Sequence, residues 1–123
     1  MFELGKDYSR EDIHVHCGGN KQAFLPVYRG KVVAACLRPD LNPDAPEVIL
    51  CNSGAAARAA GRTLAKQIDA IPVFIRQETD RWRFVGRFVV AASLTTPNEC
   101  EPFVRHSSFT RGQVSRVIRL ARG

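Results

Sequence analysis

The sequence predicts an α+β fold: a curved sheet or small β-barrel with one main helix packed on it. Three observations carry this. First, β-branched and apolar runs at residues 32–37, 48–51, 73–76 and 81–94 read as strands, and strands outnumber helical segments. Second, only one segment, roughly Ala55–Ile68, is clearly helical. Ala56, Ala60, Leu64 and Ile68 recur on one face, and Arg58, Arg62 and Lys66 fall on another. Third, the strands are irregularly spaced and do not alternate regularly with helices, which argues against a doubly wound parallel sheet.

In chain order, Ser9 followed by Glu11 and Asp12 has the form of a capped helix start, and Gly18-Gly19-Asn20 must end that element. Val32–Leu37 reads as a buried strand. The next nine residues, Arg38–Pro46, hold three prolines and form a loop. Val48–Cys51 is a second strand, and Asn52 or Ser53 is expected to cap the helix that Ile71-Pro72 ends. Val73–Arg76 and Arg81–Leu94 are joined by a tight turn at Gln77–Asp80. In the second of these strands Trp82, Phe84, Gly86 and Phe88 alternate with Arg81, Arg83, Val85 and Arg87, which predicts aromatics on one face and arginines on the other. Gly86 marks a bulge or a close backbone approach. Residues 95–113 read as loop. Val114–Arg122 matches helical spacing, yet its β-branched content favours a closing strand.

A chain of 123 residues supports one core and is too short for two, so residues 1–123 are expected to be a single domain. Hydrophobic residues at 45% and charged residues at 24% exclude a disordered chain. No apolar run could span a bilayer, and Met1–Lys6 lacks a signal-peptide layout, so a cytoplasmic protein without a membrane partner is expected. Cys17, Cys36, Cys51 and Cys100 form no CxxC and should stay reduced there. The net charge is +6, and fourteen of the eighteen basic residues are arginine, the side chain whose planar fork suits phosphate and bases.

His14-Val15-His16-Cys17 raises zinc binding or a cysteine nucleophile. No second ligand cluster lies at fitting spacing, and neighbours in sequence seldom form a catalytic pair. No catalytic residue, metal or cofactor is therefore assigned, and a Cys/His- or metal-dependent enzyme remains the third reading. The stretch from Tyr8 and Arg10 through His14 and His16 to Gly18, Gly19, Asn20 and Gln22 combines an aromatic, a flexible turn and side chains that read base edges. Arg81, Arg83 and Arg87 could track a phosphate backbone, with Lys21, Arg29 and Arg111 as further phosphate contacts.

Two segments carry a family resemblance. Phe2–His14, running into Gly18-Gly19, resembles the "G-x-x-Y-x-R-x-D-I-H … G-G" opening of SRA-like and PUA-like domains found attached to McrA-type HNH restriction endonucleases. Pro72–Arg76 followed by Trp82–Val90 is similar to the "P-V-x-x-F … W-x-Y-x-G-x-Y-x-V" hairpin of that group, with Phe84 and Phe88 in place of tyrosines. The resemblance implies a PUA-like curved sheet or barrel that reads a modified base rotated out of duplex DNA. Tyr8 or Trp82 would stack on the base, and His14, Asn20 or Gln22 would read its polar edge. No HNH segment follows residue 94, so the resemblance implies a recognition module, with a nuclease as separate partner or as a fused domain of a longer parent. A PUA-like RNA-binding protein is the second reading.

Overall fold

The computed structural model describes residues 1–123. Its elements are β1 (Asp7–Tyr8), α1 (Arg10–Cys17), β2 (Val27–Tyr28), β3 (Lys31–Val32), β4 (Ala35–Leu37), β5 (Val48–Asn52), α2 (Ala55–Ala65), β6 (Ile71–Glu78), β7 (Arg81–Leu94), α3 (Pro97–Arg105) and β8 (Val114–Arg122). The main sheet runs β4-β6-β7-β8-β5, with β1 added to one end of β7. Only β4 and β6 are parallel. β2 and β3 form a separate ribbon whose turn, Arg29-Gly30, takes positive φ at both residues. This is an α+β fold built on a mixed, curved sheet, without a closed barrel.

Side chains alternate across a strand, so the core divides by residue parity. Ala35, Leu37, Ile49, Cys51, Val73, Ile118 and Leu120 pack with Ala60 and Leu64 of α2. Their neighbours point the other way. Cys36 and Phe74 join Ile13 of α1, while Val48, Leu50 and Val117 meet Cys100 and Val104 of α3. The α2 cluster draws on both edge strands, β4 and β5, which shows how far the sheet curls.

β7 serves both faces because of a bulge. Val73 pairs with Gly86 and Phe74 with Phe84, leaving Val85 as the extra residue. Trp82 and Phe84 therefore lie in the α1 cluster, whereas Phe88 lies in the α2 cluster. Gly86 takes φ +120, and a Cβ there would meet Arg122 Nη1 at 2.6 Å. The expected division of aromatics from arginines along the whole strand is thus corrected: one inserted residue inverts the alternation midway.

Other boundaries also moved. Ser9 caps α1 as expected, in a reciprocal capping box with Asp12. Gly54, not Asn52 or Ser53, is the N-cap of α2, and Asn52 Oδ1 instead accepts from the Gly54 N–H at 2.8 Å. α2 stops at Ala65 because Gln67 turns away to bond both backbone groups of Val32, which leaves Ile68 exposed. Val32–Leu37 is not one strand. Lys31–Val32 belongs to the ribbon and Ala35–Leu37 to the main sheet. The expected 95–113 loop contains α3, started by Thr96, whose hydroxyl accepts from the Glu99 N–H, and by Pro97 in the first turn. The tail is the closing strand β8.

Candidate nucleic-acid interface

A cavity of about 360 Å³ opens among the ends of β4, β5 and β6, the start of β7 and the loops around Gln22, Leu41 and Phe109. Its floor is apolar: Cys36, Leu41, Leu50 and the edge of Trp82. Phe24 and Phe109, both half-buried, add ring surface. Arg10, Lys21, Arg38 and Arg76 supply positive charge, and Asp80 is the sole carboxylate among the lining residues.

Local chemistry fixes each polar group. Arg38 and Arg76 follow β4 and continue β6, whose parallel pairing sets Leu37 against Ile75 and so brings the two arginines alongside one another. Asp40 holds the Arg38 guanidinium through two hydrogen bonds, at 3.2 and 2.6 Å. That contact keeps the Asp40 carboxyl below its ordinary value. Arg76 touches only neutral acceptors, the Glu78 carbonyl at 3.4 Å and Thr79 Oγ1 at 3.3 Å. Asn42, buried in the Pro-rich loop, accepts from the Leu50 N–H at 3.0 Å and so ties that loop to β5. Asp80 sits in the β6–β7 turn at positive φ and accepts from the Arg10 N–H at 2.8 Å through one oxygen. Its second oxygen has no protein partner.

Arg10 is the organising side chain. Its Nη2 donates to the carbonyls of Asn20 and Ala23, and its guanidinium lies over the Trp82 ring at 5.3 Å. Arg10 Nε and Trp82 Nε1 are buried donors without a hydrogen-bond partner. An orphaned buried donor costs about 1–3 kcal/mol, so an acceptor that reached either group would relieve that cost.

Four residues singled out in the sequence line the cavity: Arg10, Lys21, Gln22 and Trp82. Asn20 stands beside them, and its Oδ1 accepts from the Gln22 and Ala23 N–H groups. The others lie elsewhere. Tyr8 packs edge-on against Phe2 and Phe74, and its hydroxyl accepts from the Glu3 N–H at 2.7 Å. His14 Nδ1 bonds the Gly19 carbonyl at 2.7 Å, and His16 rests on Phe2. Gly18 and Gly19, both at positive φ, press against Tyr28 and Pro26.

Among the expected phosphate contacts, Arg81 and Arg83 are both engaged by Asp7, at 3.1 and 2.9 Å. Arg29 lies over the Tyr28 ring, Arg87 donates to the Ala70 carbonyl, and Arg111 is 3.9 Å from Glu101. Sequence reading missed Phe24, Arg38, Asn42, Asn52, Arg76, Asp80 and Phe109. They come from six separate segments, and only the topology joins them.

No cluster of three or more His, Cys, Asp or Glu side chains is placed to hold a metal. Burial pushes the Cys17 thiol up, opposite to the shift that activates a nucleophile. No helix is long and apolar enough to cross a membrane.

No curated protein sequence matches the chain. The structure is similar to the SRA domain of SUVH5 in its crystal complex with hemimethylated CG DNA. The TM-score is 0.67 at 11% sequence identity, over 98% of this chain and 88% of that one. At that identity the likeness is one of fold, and the fold is SRA-like. A family model described as a domain of unknown function, DUF6697, matches residues 7–115, and the chain belongs to that family.

Proposed function

We propose that this protein binds nucleic acid and that its cavity receives one base rotated out of duplex DNA. The carrying observation is the meeting in one cavity of half-buried phenylalanine rings, a carboxylate oxygen without a partner and flanking arginines. Each part has a matching part in a flipped nucleotide. Phe24 and Phe109 offer ring faces for stacking, a contribution of about 1–3 kcal/mol per base. Asp80 and Gln22 offer acceptors and donors to the polar edge, and a carboxylate accepts well from the exocyclic amine of cytosine. Arg38 and Arg76 suit the phosphates on either side. The apolar floor of Cys36, Leu41 and Leu50 accommodates a methyl or similar substituent on the base. The SRA-like fold supports the same reading, since the SUVH5 domain is seen on hemimethylated DNA.

A fluorescence-anisotropy titration tests this. Matched short duplexes would carry cytosine, 5-methylcytosine, 5-hydroxymethylcytosine, adenine or N6-methyladenine, alongside an RNA duplex. Tighter binding to one modified DNA duplex, lost in Asp80→Asn and in Phe109→Ala, is the expected result. The asparagine retains the oxygen that accepts from Arg10 and tolerates the left-handed backbone at this turn. Equal binding to every duplex would overturn the base-reading role, and a preference for RNA would replace DNA as the partner.

A further inference from the structure

We infer that the nucleic-acid strand carrying the base in the cavity continues into a groove along α2, where Arg62, Lys66 and Lys31 take its phosphates. This rests on reading the cavity as a base pocket. Three clefts form one path. The cavity shares Gln22, Phe24, Arg38, Leu41 and Asn52 with a second cleft of about 790 Å³. That cleft passes Gly54 at the start of α2 and follows Ala55, Ala56 and Ala59. Through Ala59 and Thr63 it meets a third cleft, of about 480 Å³, walled by Lys31, Arg62 and Lys66.

Charge selects the occupant. Neither the second nor the third cleft has a carboxylate among its lining residues. Arg62 and Lys66 form no ion pair, and Lys31 faces only the exposed Asp69, at 3.5 Å. The first turn of α2 has no acid, and Gly54 provides no side-chain cap, so negative charge is not already supplied there. Exposed alanines leave only methyl groups between the helix and an approaching sugar–phosphate chain. The eleven residues of α2 span about 16 Å. That length matches about five phosphates at about 3.4 Å of duplex rise each.

The test is the salt dependence of binding to the preferred duplex, measured for the full chain. The double variant Arg62→Gln/Lys66→Gln should reduce the slope of log K against log salt by about 1–2, at about 0.9 per phosphate contact. It should leave the ratio of modified to unmodified affinity unchanged. Ala59→Glu, which places a carboxylate in the groove, should weaken all duplexes alike. Arg105→Gln/Arg119→Gln removes the same charge from residues that line none of the three clefts, and should leave the slope at the wild-type value. Unchanged melting temperatures establish that the variants fold.

An equal slope in the groove variant and the wild type would overturn the inference, as would the same loss in both double variants. If the slope falls as expected but the wild type shows no base preference, the cavity reading fails and the groove stands as a backbone track.

Discussion

The guanidinium of Arg10 covers the ring of Trp82, 5.3 Å from its centroid, so one indole face is already occupied within the protein. Trp82 is 8% exposed, and its remaining surface packs with Ile13, Cys36, Phe74 and Phe84. It is a wall of the cavity more than a free platform. Trp82→Ala should therefore cost about 3–5 kcal/mol in stability, as large truncations in cores do. Urea unfolding measures this directly. A variant that kept its stability and lost only binding would contradict this packing role.

Arg10 also ties the 20–23 segment to α1 through the Asn20 and Ala23 carbonyls. Arg10→Lys keeps the charge but cannot reproduce the planar fork. Faster amide hydrogen exchange at Gln22–Phe24 is expected, together with weaker nucleic-acid binding. Exchange rates equal to those of the wild type would show that the segment is held by other contacts.

Asp40 competes with any phosphate for Arg38. Its carboxyl is held below the ordinary 3.8, first by the hydrogen bond from Arg38 and also by that group's charge. A depressed folded value means that the pair is intact above pH 3.8 and dissolves as pH falls through the lower folded value. At neutral pH, Asp40→Asn should free Arg38, tighten binding to all duplexes alike and steepen the salt dependence by about one phosphate contact. Parallel titrations of variant and wild type give the comparison.

The buried thiols predict an alkaline limit. Burial pushes Cys36 and Cys51 up from 9.0 to about 12. Between those values the unfolded chain ionises these thiols while the folded chain does not. Stability contributed by each thiol is full below pH 9 and is lost as pH rises toward 12, at about 1.4 kcal/mol per pH unit per thiol. Urea midpoints measured from pH 8 to pH 11 should fall, and should fall less steeply in Cys51→Ala. Identical slopes in the two proteins would remove Cys51 as a cause.

Gly86→Ala meets two obstacles. The backbone at φ +120 is strained for any side chain, and the new methyl would lie 2.6 Å from Arg122 Nη1. The arginine tip can swing aside, so the backbone term dominates. A loss of about 1–3 kcal/mol is expected, with the cation over Phe88 displaced as well. Arg122→Ala tested alongside should not rescue it.

Local signals in the sequence were sufficient for the elements that depend on neighbours along the chain. The Ser9–Asp12 capping box, the glycine turn after α1, the existence of α2 and the β6–β7 hairpin follow from residues a few positions apart, although α2 buries Ala57, Ala60, Gly61 and Leu64 and leaves Ala56 and Ile68 of the expected stripe exposed. α3 was missed although Thr96, Pro97 and Glu99 form a helix start, because Pro102 and a thin apolar face masked it. The cavity was only partly legible. Arg10, Gln22 and Trp82 stood out as residue types, but Phe24, Arg38, Asp80 and Phe109 are ordinary in their own segments. They meet because the sheet curls until both of its edge strands border one space. Tyr8 and His14 drew attention for their chemistry, yet short-range bonds to Glu3 and Gly19 hold the Tyr8 hydroxyl and His14 Nδ1.

The extra residue at Val85 sets the start and the middle of β7 in opposite phase, and a second irregularity between Val90 and Ala92 shifts the strand again before Leu94. Replacing Val85 changes one partly buried side chain. Deleting it would turn Arg81–Phe84 inside out, sending Trp82 and Phe84 toward α2 and bringing their charged neighbours under α1 and beside the cavity. This part of the chain should therefore tolerate many changes of letter and almost no change of length. A deletion scan across residues 80–90 should show its sharpest loss of folding at the middle of a strand, where flanking loops would ordinarily absorb a missing residue.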